Sequence, residues 1–122
     1  MKLDTAVAGV LQERGALQQP QGISSPSYIS EHMQLLTQYN SALEENLAEI
    51  ESNLEVKESD TFKAHRKSGL SVNAAQVQTK YDIATDRAEV VRLKRLCSSS
   101  WSFISSSQSR VKHLIEEAHN QI

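Results

Sequence analysis

From Ile29 the apolar positions recur as Ile29, Met33, Leu36, Asn40, Leu43, Leu47, Ile50 and Leu54, in alternating steps of four and three. Such spacing keeps one stripe of a helix turned toward one neighbour, and it predicts a long helix with a heptad seam. Asn40 interrupts the run at an a-type position, where a lone amide either is buried and fixes register or lies in a wet part of the helix. The same phase continues through Lys57, Thr61 and Ala64, so the seam loses its apolar character before Ser68 and Gly69, which read as a helix stop. Ser71 or Asn73 can then cap a new helix.

In the second half, Val77, Tyr81, Ala84, Ala88 and Val91 repeat the spacing, and after Arg95 a stripe resumes as Cys97, Trp101, Ile104, Gln108, Val111, Ile115 and Ala118. The displacement of about two residues predicts a kink or a local change of supercoil. One helix over about 72–119 is expected, on the order of 70 Å long at 1.5 Å per residue. A second stripe, made of Leu93, Leu96, Ser100, Phe103, Ser107 and Leu114, runs beside the first.

A helix apolar on two stripes needs two neighbours. One is the chain's own first helix, and the other is most economically a second copy. Serines at 98, 99, 100, 102, 105, 106, 107 and 109 lack bulk and allow close approach; a flexible serine linker competes, but Trp101, Phe103 and Ile104 oppose it. Residues 96–120 are therefore expected to form an oligomerisation helix, with Cys97, Trp101, Phe103, Ile104, Val111, Leu114 and Ile115 at the contact.

The first 27 residues form a separate arm. Leu3, Val7, Val10 and Leu11 suit a short amphipathic helix, followed by a polar linker at 18–27, and the arm packs either on its own chain or on a neighbour. The architecture expected is all-α: arm 1–27, then a long antiparallel helical hairpin over 28–122, assembling into a helical oligomer.

Charge is sorted along the chain although the net value is only −2. Residues 31–60 carry eight acidic groups against Lys57, a local −7, and residues 61–95 carry eight basic groups against three acidic ones, a local +5. Antiparallel pairing about a turn near residue 70 sets the acidic block beside Arg87, Arg92, Lys94 and Arg95. It leaves residues 62–69, in a tip spanning 61–72, without an acidic neighbour. Cations left over at a helix end either balance the negative end of the helix dipole or contact phosphates.

Other chemistry is sparse. Cys97 is the single cysteine, which excludes an intrachain disulfide and reads as a packing residue in a reducing compartment. The start has no apolar signal core and no run approaches a membrane span, so a cytoplasmic protein without membrane contact is expected. There is no phosphate-cradling glycine loop and no nucleophile elbow; the four histidines are not spaced as metal ligands. No enzyme, metal or cofactor is expected.

Several segments resemble the recombination mediator proteins of T-even-like phages, the UvsY type. The opening Met1-Lys2-Leu3-Asp4 is similar to that family's start, and Asn40-Ser41-Ala42-Leu43 with Leu47-Ala48-Glu49-Ile50-Glu51 to its first long helix. Lys63-Ala64-His65-Arg66-Lys67-Ser68-Gly69 resembles its basic segment ending in Ser-Gly, and Val111-Lys112-His113-Leu114 its last helix. The resemblance implies an all-helical oligomer that binds single-stranded DNA, helps remove the single-strand DNA-binding protein and loads a RecA-like recombinase, in the host cytoplasm if phage-encoded. It places DNA contacts at Lys63, His65, Arg66 and Lys67. The family's tyrosines before Ser-Gly are replaced here by Arg66-Lys67, so binding should be mostly electrostatic rather than by base stacking. A different class fits the same pattern: a non-enzymatic helical interaction protein, such as a chaperone, a scaffold or a phage inhibitor of a host protein, gripping a protein partner through the acidic face of 44–60 or its apolar stripes.

Overall fold

The computed structural model describes residues 1–19 and 25–121. Among them every regular element is a helix: α1 (Leu3–Leu17), α2 (Pro26–Lys67), α3 (Val72–Asp82) and α4 (Ala84–Asn120). Half of the expected linker, residues 20–24, lies outside the described residues. The helices divide into two compact units, one of Met1–Glu45 with Arg95–Ile122, the other of Asn46–Lys94.

The α2 seam is where the periodicity puts it. Ile29, Leu36, Leu43 and Leu47 are buried, Met33, Ile50 and Leu54 half-buried. Asn40 belongs to the seam and is fully buried; its Nδ2 donates to the Cys97 carbonyl at 3.0 Å while its Oδ1 has no hydrogen-bond partner among the described residues. A buried acceptor without a donor is costly, and leucine has the same γ-branched shape without the polar atoms. Asn40→Leu is therefore expected to stabilise the protein by about 1–3 kcal/mol, read as a rise in the denaturant midpoint.

In the first unit α1 supplies what the serine-rich helix lacks. Ala6, Gly9, Val10, Glu13 and Leu17 are its buried residues. A Cβ on Gly9 would enter the Tyr39 ring, so glycine is what lets α1 lie close against α2. Further along α1, Glu13 Oε2 lies 2.6 Å from His32 Nδ1, and the Tyr28 hydroxyl donates to the Ala16 carbonyl. On the α4 side Arg14 donates to Ser99 Oγ at 2.8 Å and to Ser100 Oγ at 3.4 Å, and its guanidinium lies 5.3 Å from the Phe103 ring centre.

The doubled stripe of α4 thus has two neighbours within its own chain, and the expectation that the second must come from another copy is corrected. Serine suits this crossing because its hydroxyl can bond within its own helix and leave a small surface outward. Ser100 and Ser107 donate to the carbonyls of Leu96 and Phe103, four residues back, and both are buried.

In the second unit, Lys57 pairs with Asp86, Arg87 with Glu58 and Lys94 with Glu51. Glu51 thus lies across from Lys94, and the adjacent Lys57 and Glu58 across from the adjacent Asp86 and Arg87. Two of the four basic residues expected beside the acidic block behave differently. Arg92 pairs with Glu89 on its own helix, and Arg95 has no ion pair among the described residues.

The expected single helix over 72–119 is interrupted at Ile83, whose φ of −100° and ψ of 4° leave helical geometry for one residue. The phase expected for this region is also corrected. Ala75, Thr79, Ile83, Val90, Leu93, Cys97, Ser100, Ile104 and Ser107 are buried, whereas Val77, Tyr81, Ala84, Ala88 and Val91 are exposed. From Ile83 onward the buried side keeps alternating four and three through Asp86, Val90, Leu93, Cys97, Ser100, Ile104 and Ser107, with no slip after Arg95. The larger apolar residues lie outside the seam, which runs through threonine and serine instead. Like the serines, Thr79 donates to a carbonyl four residues back, that of Ala75, and packs as a small residue.

Candidate nucleic-acid interface

The basic segment occupies the last turn of α2 and the turn after it. Gly69, at φ +100°, is the residue that lets the chain reverse. The Leu70 amide donates to the His65 carbonyl and the Gly69 amide to the Arg66 carbonyl, closing the helix end in a Schellman motif. Ser71 then caps α3, its hydroxyl accepting from the Ala74 amide at 3.2 Å. These bonds occupy backbone groups and leave the neighbouring lysine side chains in solvent.

Lys63, Arg66 and Lys67 are exposed and, at i, i+3 and i+4, share one face of α2. Lys63 and Lys67 have no ion pair among the described residues; Arg66 Nη1 donates to the Leu70 carbonyl at 3.0 Å. His65 differs from the expectation that the tip lacks an acidic neighbour. Its Nε2 lies 2.6 Å from Asp82 Oδ2, so this ring ties the end of α2 to the end of α3. The hydrogen bond from His65, then that from Gln78, hold the Asp82 carboxyl below its ordinary value. The contribution of an acid with a depressed pKa is present above the ordinary value and fades as pH falls through the lowered one.

One cation was missed by reading along the chain. Lys80 is exposed on the last turn of α3. The run 61–81 consequently carries Lys63, Arg66, Lys67 and Lys80 and no carboxylate. Asp82, which ends that run, faces His65. An open groove of about 510 Å³ near Lys80 is lined by Phe62 and Gln76 but also by Glu55 and Glu58, carboxylates that would repel a phosphate. The exposed turn, rather than this groove, is the surface suited to a polyanion.

The expected oligomer contacts are distributed unevenly. Cys97 and Ile104 are buried, Trp101 and Phe103 half-buried, and Phe103 faces Arg14 of the same chain. Nearer the end of α4, Val111 and Leu114 are half-buried and Ile115 is 55% exposed. Burial, then the Glu44 carboxylate, push the Cys97 thiol up, with the Trp101 and Asn40 side chains acting in the opposite direction. Thiolate is the reactive form, so Cys97 is expected to react with a disulfide reagent near neutral pH only as fast as the unit opens, and promptly in denaturant.

Among the described residues no helix is long and apolar enough to cross a membrane, and no group of three or more histidine, cysteine or acidic side chains is placed to hold a metal ion. Compared with known protein families, with curated proteins and with solved structures, the chain matches none.

Proposed function

We propose that this chain is a non-enzymatic helical protein that binds single-stranded DNA through the cationic turn around Lys63, Arg66 and Lys67. In this reading it works as a homo-oligomeric recombination mediator in the cytoplasm, loading a RecA-like recombinase against a single-strand DNA-binding protein. The observation that carries the reading is the stretch 61–81, with four exposed lysines and arginines and no carboxylate. Phosphate contacts gain affinity from each counterion they release, so unpaired cations on one face act together. The order of the ion pairs in the second unit supports an antiparallel hairpin with this turn at its end, and the resemblance to the UvsY-type mediators agrees in the position of the basic segment.

A labelled oligo-dT titration together with light scattering on a sizing column tests this reading. Expected is an oligomer whose DNA affinity falls steeply between about 50 and 200 mM salt. A monomer indifferent to DNA would favour a second reading, a helical adaptor for a protein partner. One observation supports that alternative: Glu49, Glu55 and Asp60 stand exposed on α2 with no ion pair among the described residues.

A further inference from the structure

The last turns of α4 carry a stripe that its own chain leaves open. Val111, Ile115 and Ala118 step by four and three along a helix that is unbroken from Ala84 to Asn120. Val111 is half-buried, Ile115 is 55% exposed and Ala118 is exposed. Alongside them α2 and α4 part to leave an open groove of about 450 Å³, with the half-buried Met33 of α2 on its far wall. An apolar stripe beside an apolar groove is a surface that a further helix can fill.

The charges at its edges indicate which helix. Lys112 and Glu116 line the groove on one side of the stripe, and the exposed Arg110 and Glu117 border it on the other. Arg110, Lys112 and Glu116 take part in no ion pair among the described residues, while Glu117 lies 3.2 Å from His113 on its own helix. Each edge thus has its cation nearer the start of the helix and its carboxylate nearer the end. When two such helices lie antiparallel, stripe to stripe, the same edge of each faces the other in the opposite direction. About a two-fold axis near Leu114, Lys112 of each copy then lies across from Glu116 of the other, and Arg110 across from Glu117. A parallel pairing would bring Lys112 toward Arg110 and Glu116 toward Glu117, like charge against like.

We infer that two copies of this chain associate through the ends of α4, antiparallel about a two-fold axis near Leu114. This deepens the oligomeric part of the proposed function and rests on that part alone, since residues 61–81 play no role in it. The pattern is complementary to itself, which selects a second copy as the occupant of the groove. Both copies use the same patch, so the contact is isologous and closes at a dimer. Its charge pairs are exposed, and association weakens as salt screens them.

The test uses the full chain, its Lys112→Glu, Glu116→Lys and Ile115→Asp variants and the double exchange of Lys112→Glu with Glu116→Lys, with the mass of each measured by light scattering over a concentration series at low salt. All three positions are exposed, so helical content and melting should match the parent. Expected are a parent that dimerises, single charge variants whose dissociation constant rises about tenfold or more, and an Ile115→Asp variant that stays monomeric. Association should return in an equimolar mixture of the two single charge variants, where an acidic edge meets a basic one, and in the double exchange, where each edge again complements itself. Variants that associate like the parent would overturn this contact and leave the oligomer reading standing. Weakened single variants that neither the mixture nor the double exchange restores would overturn the antiparallel two-fold arrangement. A parent that is monomeric throughout would overturn both the contact and the oligomer reading, whatever its behaviour toward DNA.

Discussion

Replacing Lys63, Arg66 and Lys67 together by alanine is expected to lower affinity for single-stranded oligo-dT on the order of 100-fold at about 50 mM salt, and to flatten the dependence of log affinity on log salt by about two units. The magnitude follows from counterion release, because each phosphate neutralised on a single strand adds roughly 0.7 to that slope. The fold should survive the change. Lys63 and Lys67 are exposed and take part in no ion pair among the described residues, and Arg66 contributes one bond to the Leu70 carbonyl at a turn that Gly69 and the Schellman bonds also define. An affinity that drops without a change in slope would mean that the substitutions act through structure instead of charge. His65→Ala separates the two causes further, since this ring is engaged by Asp82. It is expected to disturb the junction of α2 with α3 more than the salt dependence of binding.

Val10→Asp is expected to have the largest effect on stability, about 3–5 kcal/mol, because it places a carboxylate at a fully buried position of α1 with no cation assigned to it. Trp101, the single tryptophan, lies half-buried in the same unit and reports the loss through its emission during a denaturant titration. The effect is large because a carboxylate at a site with no exposed surface has no water to solvate it, and α1 belongs to the serine-rich crossing, where its Arg14 meets Ser99, Ser100 and Phe103. A transition superimposable on that of the parent would show that the unit does not depend on α1, and the account of the serine-rich crossing would fail.

What could be read from the sequence depended on residue size agreeing with residue polarity. In α2 the two agree. Leucine and isoleucine mark the seam, and the steps of four and three locate it from Ile29 to Leu47, with the buried Asn40 standing out as the one polar member. In α3 and α4 they conflict. The seam uses Ala75, Thr79, Ser100 and Ser107, and the larger Val77 and Tyr81 lie outside. A pattern search anchored on large apolar residues therefore chose the exposed face.

The partner of α4 was hidden for a different reason. Gly9 and Ala6 make α1 close-packing without making it strongly apolar, and its contacts with Tyr39, Ser99 and Phe103 join residues far apart in the chain, which local periodicity does not register. The basic turn was legible because its signals are local: three cations within five residues, a Ser-Gly stop and a capping serine. Lys80 was not grouped with them, since it stands on the next helix, well separated from Lys67 along the chain.

The proposed role stands most directly on where a single strand touches the protein. Oligo-dT carrying 4-thiothymidine, irradiated in complex with the full chain and followed by peptide mass mapping, reads this without any substitution. Adducts confined to peptides from residues 61–81 are predicted, and they should disappear as salt is raised. Adducts concentrated instead around Trp101 or Tyr39, or no adducts at protein concentrations that saturate the oligonucleotide, would contradict the assignment.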